Sequence, residues 1–275
     1  MGVFFIVSYN NLGDNMKFKK GDLVTRISYE HDLVFKIVDY KKDQYILRGL
    51  NIRLYADSKE ADLVLLTADK EVIENDDEIA ACLDDYLKME RDQYFYLPGK
   101  ILHIDGDKEY LSRCLNFYKK ANILAYGVHL NEGDIPKKLE GYLERVSPDI
   151  VIITGHDAYY TNEFESVKNY KNSNNFIKAV KKARSYEKAH DKLIIIAGAC
   201  QSNYEELIKA GANFASSPRR INIHALDPAI IASIISLSDH SEDIDLIGIL
   251  EKTKYGAQGI GGIKTKGTMY IGYPR

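Results

Sequence analysis

Two continuous apolar runs of strand length stand out in the second half of the chain. They occupy residues 150–153 and 193–196, and neither contains an alternating polar position. Uninterrupted runs of this kind are typical of strands that are buried on both faces of a parallel sheet. Small residues follow each run and lead to a reactive side chain, His156 after the first and Cys200 after the second. Because parallel strands end at one edge of a sheet, the pattern predicts that this histidine and cysteine converge on one crevice.

From residue 98 onward, segments of strand length alternate with segments of helical periodicity. Besides the two runs above, the pattern predicts strands at 100–104, 123–128 and 212–216, and helices at 108–120, 136–145, 176–186, 204–209 and 227–237. Regular alternation of this kind predicts an α/β fold with a parallel sheet and right-handed crossovers. The glycine-rich segment 259–267 lacks the context of a phosphate-binding loop, so we expect a terminal hairpin or loop there.

The first quarter of the chain has a different pattern. Five short β-type runs lie between Lys17 and Leu66 and are separated by turn residues, which predicts a small SH3-like β-barrel over 16–68 with a packing or docking role. Residues 69–97 carry an acidic cluster followed by apolar residues at helical spacing, including Tyr86 and Leu87, and are predicted to be a helical connector. The α/β catalytic domain is then expected over 98–275. Residues 1–15 are expected to form a disordered extension.

Composition narrows the classes of function. Of the 275 residues, 37 are basic and 40 are acidic, and the formal net charge of −3 gives no general attraction to nucleic acid or to an anionic membrane. No apolar run reaches membrane-spanning length. The three cysteines contain no CxxC pair, which argues against a disulfide framework and a thiolate zinc site. We therefore expect a protein of a reducing, intracellular compartment that has no nucleic-acid or membrane partner.

The predicted convergence of His156 and Cys200 suggests a cysteine-nucleophile hydrolase. Their separation of 44 positions (200 − 156) leaves room for a loop and a crossover helix. His156 would remove the thiol proton and later protonate the leaving amine, and no cofactor or metal would be required. The backbone N–H groups of Cys200 and Asp157 are the natural donors to a tetrahedral oxyanion. We expect Cys200 to be exposed and to alkylate faster than the other cysteines. Taken singly, however, a cysteine or a histidine after an apolar run is more often a buried structural residue.

Other polar residues at predicted strand ends have two interpretations each. Asp105 and Asp107 would form an acidic pocket for an arginine or lysine of a substrate, or would shape a turn and cap the next helix. Ser216 and Ser217 are candidates for substrate binding, or are turn residues. A competing hypothesis is a metal-dependent hydrolase with Cys200 as a bystander. Its candidate ligands are His103, Asp105, Asp107, His129 and His156.

Two family resemblances add to this picture. The order of a histidine strand and then a cysteine strand resembles that of caspases, as does the block Gly198-Ala199-Cys200-Gln201. Caspase-like peptidases usually have glycine after the histidine, whereas here Gly155 precedes His156 and Asp157 follows it. The resemblance implies a caspase-like parallel-sheet catalytic domain.

A closer resemblance covers almost the whole chain from Met16 onward. Segments 19–26, 97–107, 153–159, 197–202, 211–218 and 222–228 resemble the YabG family of sporulation-specific cysteine peptidases. This implies a protease that cleaves spore coat and cortex-associated proteins after basic residues, through His156 and Cys200, and that also cleaves itself. It implies a place in the mother-cell cytoplasm of a sporulating bacterium, at the forming spore coat. The alternative of another class is a non-catalytic scaffold for coat assembly.

Overall fold

A computed structural model describes residues 17–66, 76–83, 94–160 and 164–274. The expected extension over 1–15 and the connector residues Tyr86 and Leu87 lie outside these ranges. The chain divides into two compact units. Of the described residues, the first unit contains 17–50 and 55–66, and the second contains 51–54 and everything from 76 onward. The domain boundaries drawn from the sequence stay predictions.

The first unit is a five-stranded antiparallel sheet. Its strands are β1 (Leu23–Arg26), β2 (Phe35–Lys41), β3 (Gln44–Gly49), β4 (Tyr55–Ser58) and β5 (Leu63–Leu65), in the order β4-β3-β2-β1-β5. Lys42 and Asp43 both have positive φ, as a tight two-residue turn between β2 and β3 requires. Among the described strands β4 does not pair with β5, so the sheet is confirmed but its closure into a barrel is not.

One expected strand of this first part differs from the structure. The fourth of the five β-type runs, from Ile52 to Tyr55, is predicted to be a strand. In the structure only Tyr55 lies in β4. Residues 51–54 instead belong to the second unit, although β3 and β4 on either side belong to the first. An apolar run indicates that a segment is buried, but it does not indicate which part of the protein the segment packs against.

The predicted helical connector is only partly helical where it is described. Helix α1 (Asp76–Ala80) and a 3₁₀ turn (Ala81–Leu83) agree with the helical spacing. The end of the segment is a strand, β6 (Phe95–Leu97), which pairs antiparallel with β13 (Tyr270–Gly272). This pairing joins residues about 170 positions apart, which local periodicity cannot show.

The second unit is built on a six-stranded sheet in the order β12-β11-β10-β9-β7-β8. Its strands are β7 (Ile101–Asp105), β8 (Ala125–His129), β9 (Ile150–Thr154), β10 (Ile194–Ala197), β11 (Phe214–Ser216) and β12 (Ile260–Gly262). All pairs are parallel except β11 with β12, which is antiparallel. The predicted α/β class and the neighbouring histidine and cysteine strands are confirmed, whereas a caspase-like fold is not tested by these pairings. Strand β12 occupies part of the glycine-rich segment.

Helices cover both faces of this sheet. They are α2 (Lys108–Lys120), α3 (Ile135–Val146), α4 (Ser173–Tyr186), α5 (Tyr204–Lys209), α6 (Asp227–Ser236) and α7 (Leu246–Glu251). Helices α3 and α4 pack on one face over alternate residues of β7, β9 and β10. Helix α2 contacts β7 and β8, and α6 contacts β9 and β10. Within the described ranges, no helix is long and apolar enough to cross a bilayer.

The strand order creates a switch point between β7 and β9. The chain leaves β7 to form β8 on one side and later returns to form β9 on the other side. At such a point the loops that follow the two strands diverge and leave a crevice at the carboxyl edge of the sheet. The residues that follow β7, β9 and β10 therefore share one edge.

Arg184 forms hydrogen bonds at the opposite edge of the sheet, where β10 and β11 begin. Its guanidinium donates to the carbonyl oxygens of Glu187, Ala189, Leu193 and Gly211, and to the side-chain oxygen of Asn213, at 2.8–3.1 Å. These acceptors precede β10 and β11.

We expect Arg184→Ala to lower the free energy of unfolding by about 2–4 kcal/mol, because several acceptors lose a charged donor at once. Urea unfolding followed by circular dichroism measures this change. A loss below about 0.5 kcal/mol would show that water replaces the arginine without cost.

Candidate active site

His156 and Cys200 lie at corresponding positions beyond two paired strands. The last registered pair of β9 and β10 is Ile153 with Ala197, and each candidate follows its strand by three residues (156 − 153 and 200 − 197). The Thr154 hydroxyl donates to the carbonyl oxygen of Gly198 at 2.9 Å and ties the two strand ends together. The two candidates therefore leave the same edge of the sheet from adjacent strands.

The His156 ring is held by a carboxylate that follows β7. Its Nε2 lies 3.1 Å from Oδ2 of Asp107. The other oxygen of Asp107 accepts the N–H groups of Glu109 and Tyr110 at 2.8 and 3.0 Å, which caps helix α2. The Tyr110 ring also packs against the imidazole, with centroids 5.7 Å apart. The capping interpretation of Asp107 is confirmed, and its contact with His156 was missed by the sequence analysis.

Glu132, which follows β8, contacts the backbone of the loop after β9 that carries His156 (the histidine loop). The backbone N–H of His156 donates to Oε1 of Glu132 at 2.9 Å. Glu132 approaches the backbone so closely that a Cβ at Gly155 would lie 2.7 Å from the same oxygen. A side chain at position 155 would therefore displace the Glu132 carboxylate from this contact. Nothing in the sequence around Glu132 indicated this contact, because β8 gave no motif at its end.

Asp157 links the histidine loop to the loop after β10 that carries Cys200 (the cysteine loop). Its carboxylate accepts hydrogen bonds from the hydroxyls of Ser173 and Ser202 at 2.5 and 2.9 Å and from the N–H of Asn172 at 2.7 Å. Ser202 in turn accepts the N–H of Ala199 at 2.9 Å. Burial raises the pKa of Asp157, and these hydrogen bonds oppose the rise. The side chain of Asp157 thus fixes both loops.

The Cys200 thiol is closed off from solvent. Its Sγ accepts the backbone N–H of Ile223 at 3.3 Å and lies 3.8 Å from the carbonyl oxygen of the same residue. Burial raises the pKa of Cys200 to about 12, against the hydrogen bond from Ile223. The expectation of an exposed thiol is wrong for this structure, because residues 223–225 lie over the sulphur and are themselves buried.

Residues 51–54 pair with the segment that covers Cys200. Ile52 and His224 form an antiparallel bridge. The N–H of Arg53 donates to Ile223 O at 3.2 Å, and the N–H of Ala225 donates to Asn51 O at 2.9 Å. The two stretches thus form a short two-stranded cover at the cysteine loop.

The Arg53 side chain is fully buried against Asp105. Its Nη1 lies 2.8 Å from Asp105 Oδ2, and both side chains have no exposed surface. Burial alone would lower the pKa of Arg53, but the charge of Asp105 raises it above its ordinary value. Burial alone would raise the pKa of Asp105, but Arg53 and hydrogen bonds from His103 and from the Asp107 N–H lower it to about 2. Both groups are therefore charged.

Arg53 was missed by the sequence analysis, and Asp105 has a partner that the analysis did not foresee. The apolar residues around Arg53 indicated only a strand. Asp105 was predicted to meet a basic side chain of a substrate, and here it meets one from its own chain. Its other oxygen accepts the N–H of Asp107 at 2.9 Å, as in a turn. Its role in binding substrate stays a prediction.

The remaining candidates lie in tight local structure. Ser216 and Ser217 are buried. Ser217 has a φ of 69°, accepts the N–H of Gln201 at 3.0 Å and donates to Ile221 O at 2.6 Å. Its hydroxyl therefore shapes the loop that covers Cys200, and its predicted substrate contact is not tested.

Two of the candidate metal ligands, His103 and His129, contact different groups. His103 is buried, with Nδ1 2.8 Å from the Tyr118 hydroxyl, whereas exposed His129 has Nε2 3.3 Å from Gly106 O. In the described part of the chain, no group of three or more histidine, cysteine, aspartate or glutamate side chains is arranged to hold a metal ion.

Asp227 is a second buried carboxyl beside the cover. It accepts the N–H groups of His224 at 2.8 Å and Lys254 at 3.0 Å. Burial raises the pKa of Asp227 to about 6, against these two hydrogen bonds. The folded chain therefore binds this proton more tightly than the unfolded chain, whose carboxyl has an ordinary pKa.

Because of this raised pKa, we expect stability to fall as pH rises from about 4 to about 6. The stability of the wild type relative to Asp227→Asn should decrease on the order of 3 kcal/mol across this window, at 1.36 kcal/mol per pKa unit. Urea unfolding of both proteins at several pH values measures the difference. A difference that stays constant between pH 4 and 7 would contradict this assignment.

Comparison with known proteins places this arrangement in a family. The YabG peptidase U57 family is matched by residues 19–274. The sporulation-specific protease YabG of Bacillus subtilis (strain 168) is 39% identical over 286 aligned residues, which cover 94% of this chain and 99% of that protein. The family match extends through the sheet and through the loops that carry His156 and Cys200. Both matches confirm the resemblance found in the sequence. The chain belongs to the YabG peptidase U57 family.

Proposed function

We propose that this peptidase is a cysteine endopeptidase in which Cys200 and His156 form the catalytic dyad. The observation that carries the proposal is the pairing of β9 with β10, since both residues leave the same sheet edge three positions beyond one registered pair. The contact of His156 Nε2 with Asp107 supports it, because an imidazole that acts as a base is usually oriented by a third group. A caspase-like catalytic fold and an SH3-like barrel belong to the same proposal.

In the proposed reaction, the Cys200 sulphur attacks the carbonyl carbon of the scissile peptide bond. His156 takes the thiol proton and gives it to the leaving amine, so that a thioester forms and the peptide bond breaks. Water then attacks the thioester and releases the acyl product and the thiol. The backbone N–H groups of Cys200 and Asp157 stabilise the oxyanion in both steps.

The resting geometry sets a requirement on this mechanism. A thiol with a pKa of about 12, hydrogen-bonded to Ile223, is neither ionised nor accessible to a peptide at neutral pH. The cover formed by residues 51–54 and 223–225 must therefore move before attack. Asp107 acts in the proposal as a positioning residue for His156.

The substrates follow from the relative and from the family resemblance. The Bacillus subtilis protein is described as a sporulation-specific protease. We infer that this chain acts in the mother cell of a sporulating bacterium and cleaves spore coat and cortex-associated proteins after basic residues, and that it also cleaves itself. The buried carboxylates of Asp105 and Asp107, together with Ser216 and Ser217, are the proposed surroundings of the substrate side chain. The first unit would dock protein partners.

The dyad predicts that Cys200→Ala and His156→Ala abolish cleavage, because each removes a group that takes part in bond making or proton transfer. The full-length variants and the wild type are incubated with a purified spore coat protein, and fragments are identified by intact mass. Cys82→Ala is the matched control, since Cys82 lies in the 3₁₀ turn Ala81–Leu83, outside the cysteine loop. It should retain wild-type cleavage.

The fragment masses separate the alternatives. Cuts that follow arginine or lysine support the proposed specificity. Equal cleavage by the wild type and Cys200→Ala would refute the cysteine mechanism. Activity that is lost with a chelator and is indifferent to thiol alkylation would favour the metal-dependent hydrolase.

Asp107→Asn tests the positioning role. Asparagine is also a good N-cap, so helix α2 should be preserved while the charge beside His156 is lost. We expect kcat to fall by about 10²-fold or more, because the histidine loses its orienting partner. A KM that changes less than about threefold would assign this loss to positioning, whereas a KM that rises in step would show that Asp107 also contacts the substrate. A normal kcat would show that Asp107 is only a cap.

A further inference from the structure

A fully buried arginine at the sheet edge of the candidate site requires an explanation. Arg53 lies in residues 51–54, which belong to the second unit although the strands on both sides belong to the first. A buried ion pair loses the solvation of both charges, so it is weak evidence for a role in stability. The position of Arg53, at the sheet edge that carries Asp105, Asp107 and Cys200, points to a role in the site.

The backbone of residues 51–54 is held as an extended peptide would be held. It forms an antiparallel bridge to His224 with hydrogen bonds at 2.9 and 3.2 Å on either side. Addition of an extended strand to an available edge is a general mode of peptide binding. The Tyr110 hydroxyl also donates to Ile52 O at 2.8 Å.

All three nitrogen atoms of the Arg53 guanidinium have hydrogen-bond partners within the protein. Nη1 meets Asp105 at 2.8 Å, while Nε and Nη2 donate to Ala225 O at 3.1 and 2.7 Å. Nη2 lies 3.7 Å from Cys114 Sγ, and the guanidinium carbon lies 5.0 Å from the centre of the Tyr110 ring. A carboxylate, a carbonyl and an aromatic ring are the groups that select arginine over lysine.

We propose that residues 51–54 are an internal pseudosubstrate: Arg53 fills the subsite for a basic side chain that Asp105 provides, and the paired strand keeps Cys200 closed. The inference rests on the proposed peptidase function and adds its regulation. A substrate arginine would need the same carboxylate and the same backbone edge, so it competes with Arg53. The peptidase is active only in the fraction of molecules that have released this segment.

The first test measures access to Cys200 and needs no substrate. Full-length wild type, Arg53→Ala and Arg184→Ala are treated with iodoacetamide under native conditions, and alkylation of Cys200 is followed by peptide mass spectrometry. We expect Arg53→Ala to react about tenfold faster or more, because the cover has lost its anchor. Arg184→Ala removes an arginine from the opposite sheet edge and controls for general loss of stability. A wild-type rate in Arg53→Ala, or an equal acceleration in Arg184→Ala, overturns the proposal.

Arg53→Ala leaves Asp105 buried and unpaired, which can prevent folding. The double variant Arg53→Ala/Asp105→Asn removes that stranded charge and should show the same faster alkylation. A synthetic peptide of residues 49–57 separates the two effects. It should slow alkylation in Arg53→Ala, where Asp105 can bind its arginine, and have no effect on the double variant. Equal protection of both variants, or of neither, refutes the subsite assignment.

Hydrolysis of an unstructured reporter peptide containing one arginine distinguishes this inference from the peptidase proposal. Faster hydrolysis by Arg53→Ala than by the wild type, by about tenfold or more, supports both. Equal hydrolysis by the two proteins refutes the block and leaves the peptidase intact. No hydrolysis by either, together with faster alkylation of Arg53→Ala, supports the block and counts against the peptidase chemistry.

Discussion

The parallel pairing of β9 with β10 is the constraint on which the candidate site depends. Both strands are apolar on both faces, so they must lie inside the sheet with helices above and below. Once they are registered, the chain that follows each strand leaves at the same edge, so His156 and Cys200 both follow the strands at that edge. The remaining polar groups of the site are arranged around this fixed pair of strand ends.

A buried polar network turns this proximity into a defined geometry. Asp157 holds the two loops to each other through Ser173 and Ser202, and Asp107 and Glu132 hold the ring and the backbone of His156. Each carboxylate comes from a different strand end and accepts donors that would otherwise be buried without partners. Such networks hold one arrangement firmly because a partly satisfied one is costly. The loop that carries His156 is thus held in one arrangement.

The surroundings of Cys200 differ from those of His156. Its thiol is protonated, buried and bonded to Ile223, and an ion pair between Arg53 and Asp105 lies beside it. The two candidate residues therefore differ: the His156 ring is held by a carboxylate, whereas the Cys200 thiol is covered. If Cys200 is the nucleophile proposed above, a closed ground state of this kind would limit cleavage to molecules in which the cover is released.

The sequence by itself determined the α/β class, the neighbouring histidine and cysteine strands and the family, because apolar runs and motifs are local signals that survive without the fold. It also identified His156, Cys200 and Asp107 as residues at one sheet edge. Only the tertiary structure decided which of them touch and which are accessible. Arg53 meets Asp105 across 52 positions, and β6 meets β13 across more than 170. Local periodicity reports that a segment is buried, whereas its partner depends on how the whole chain packs.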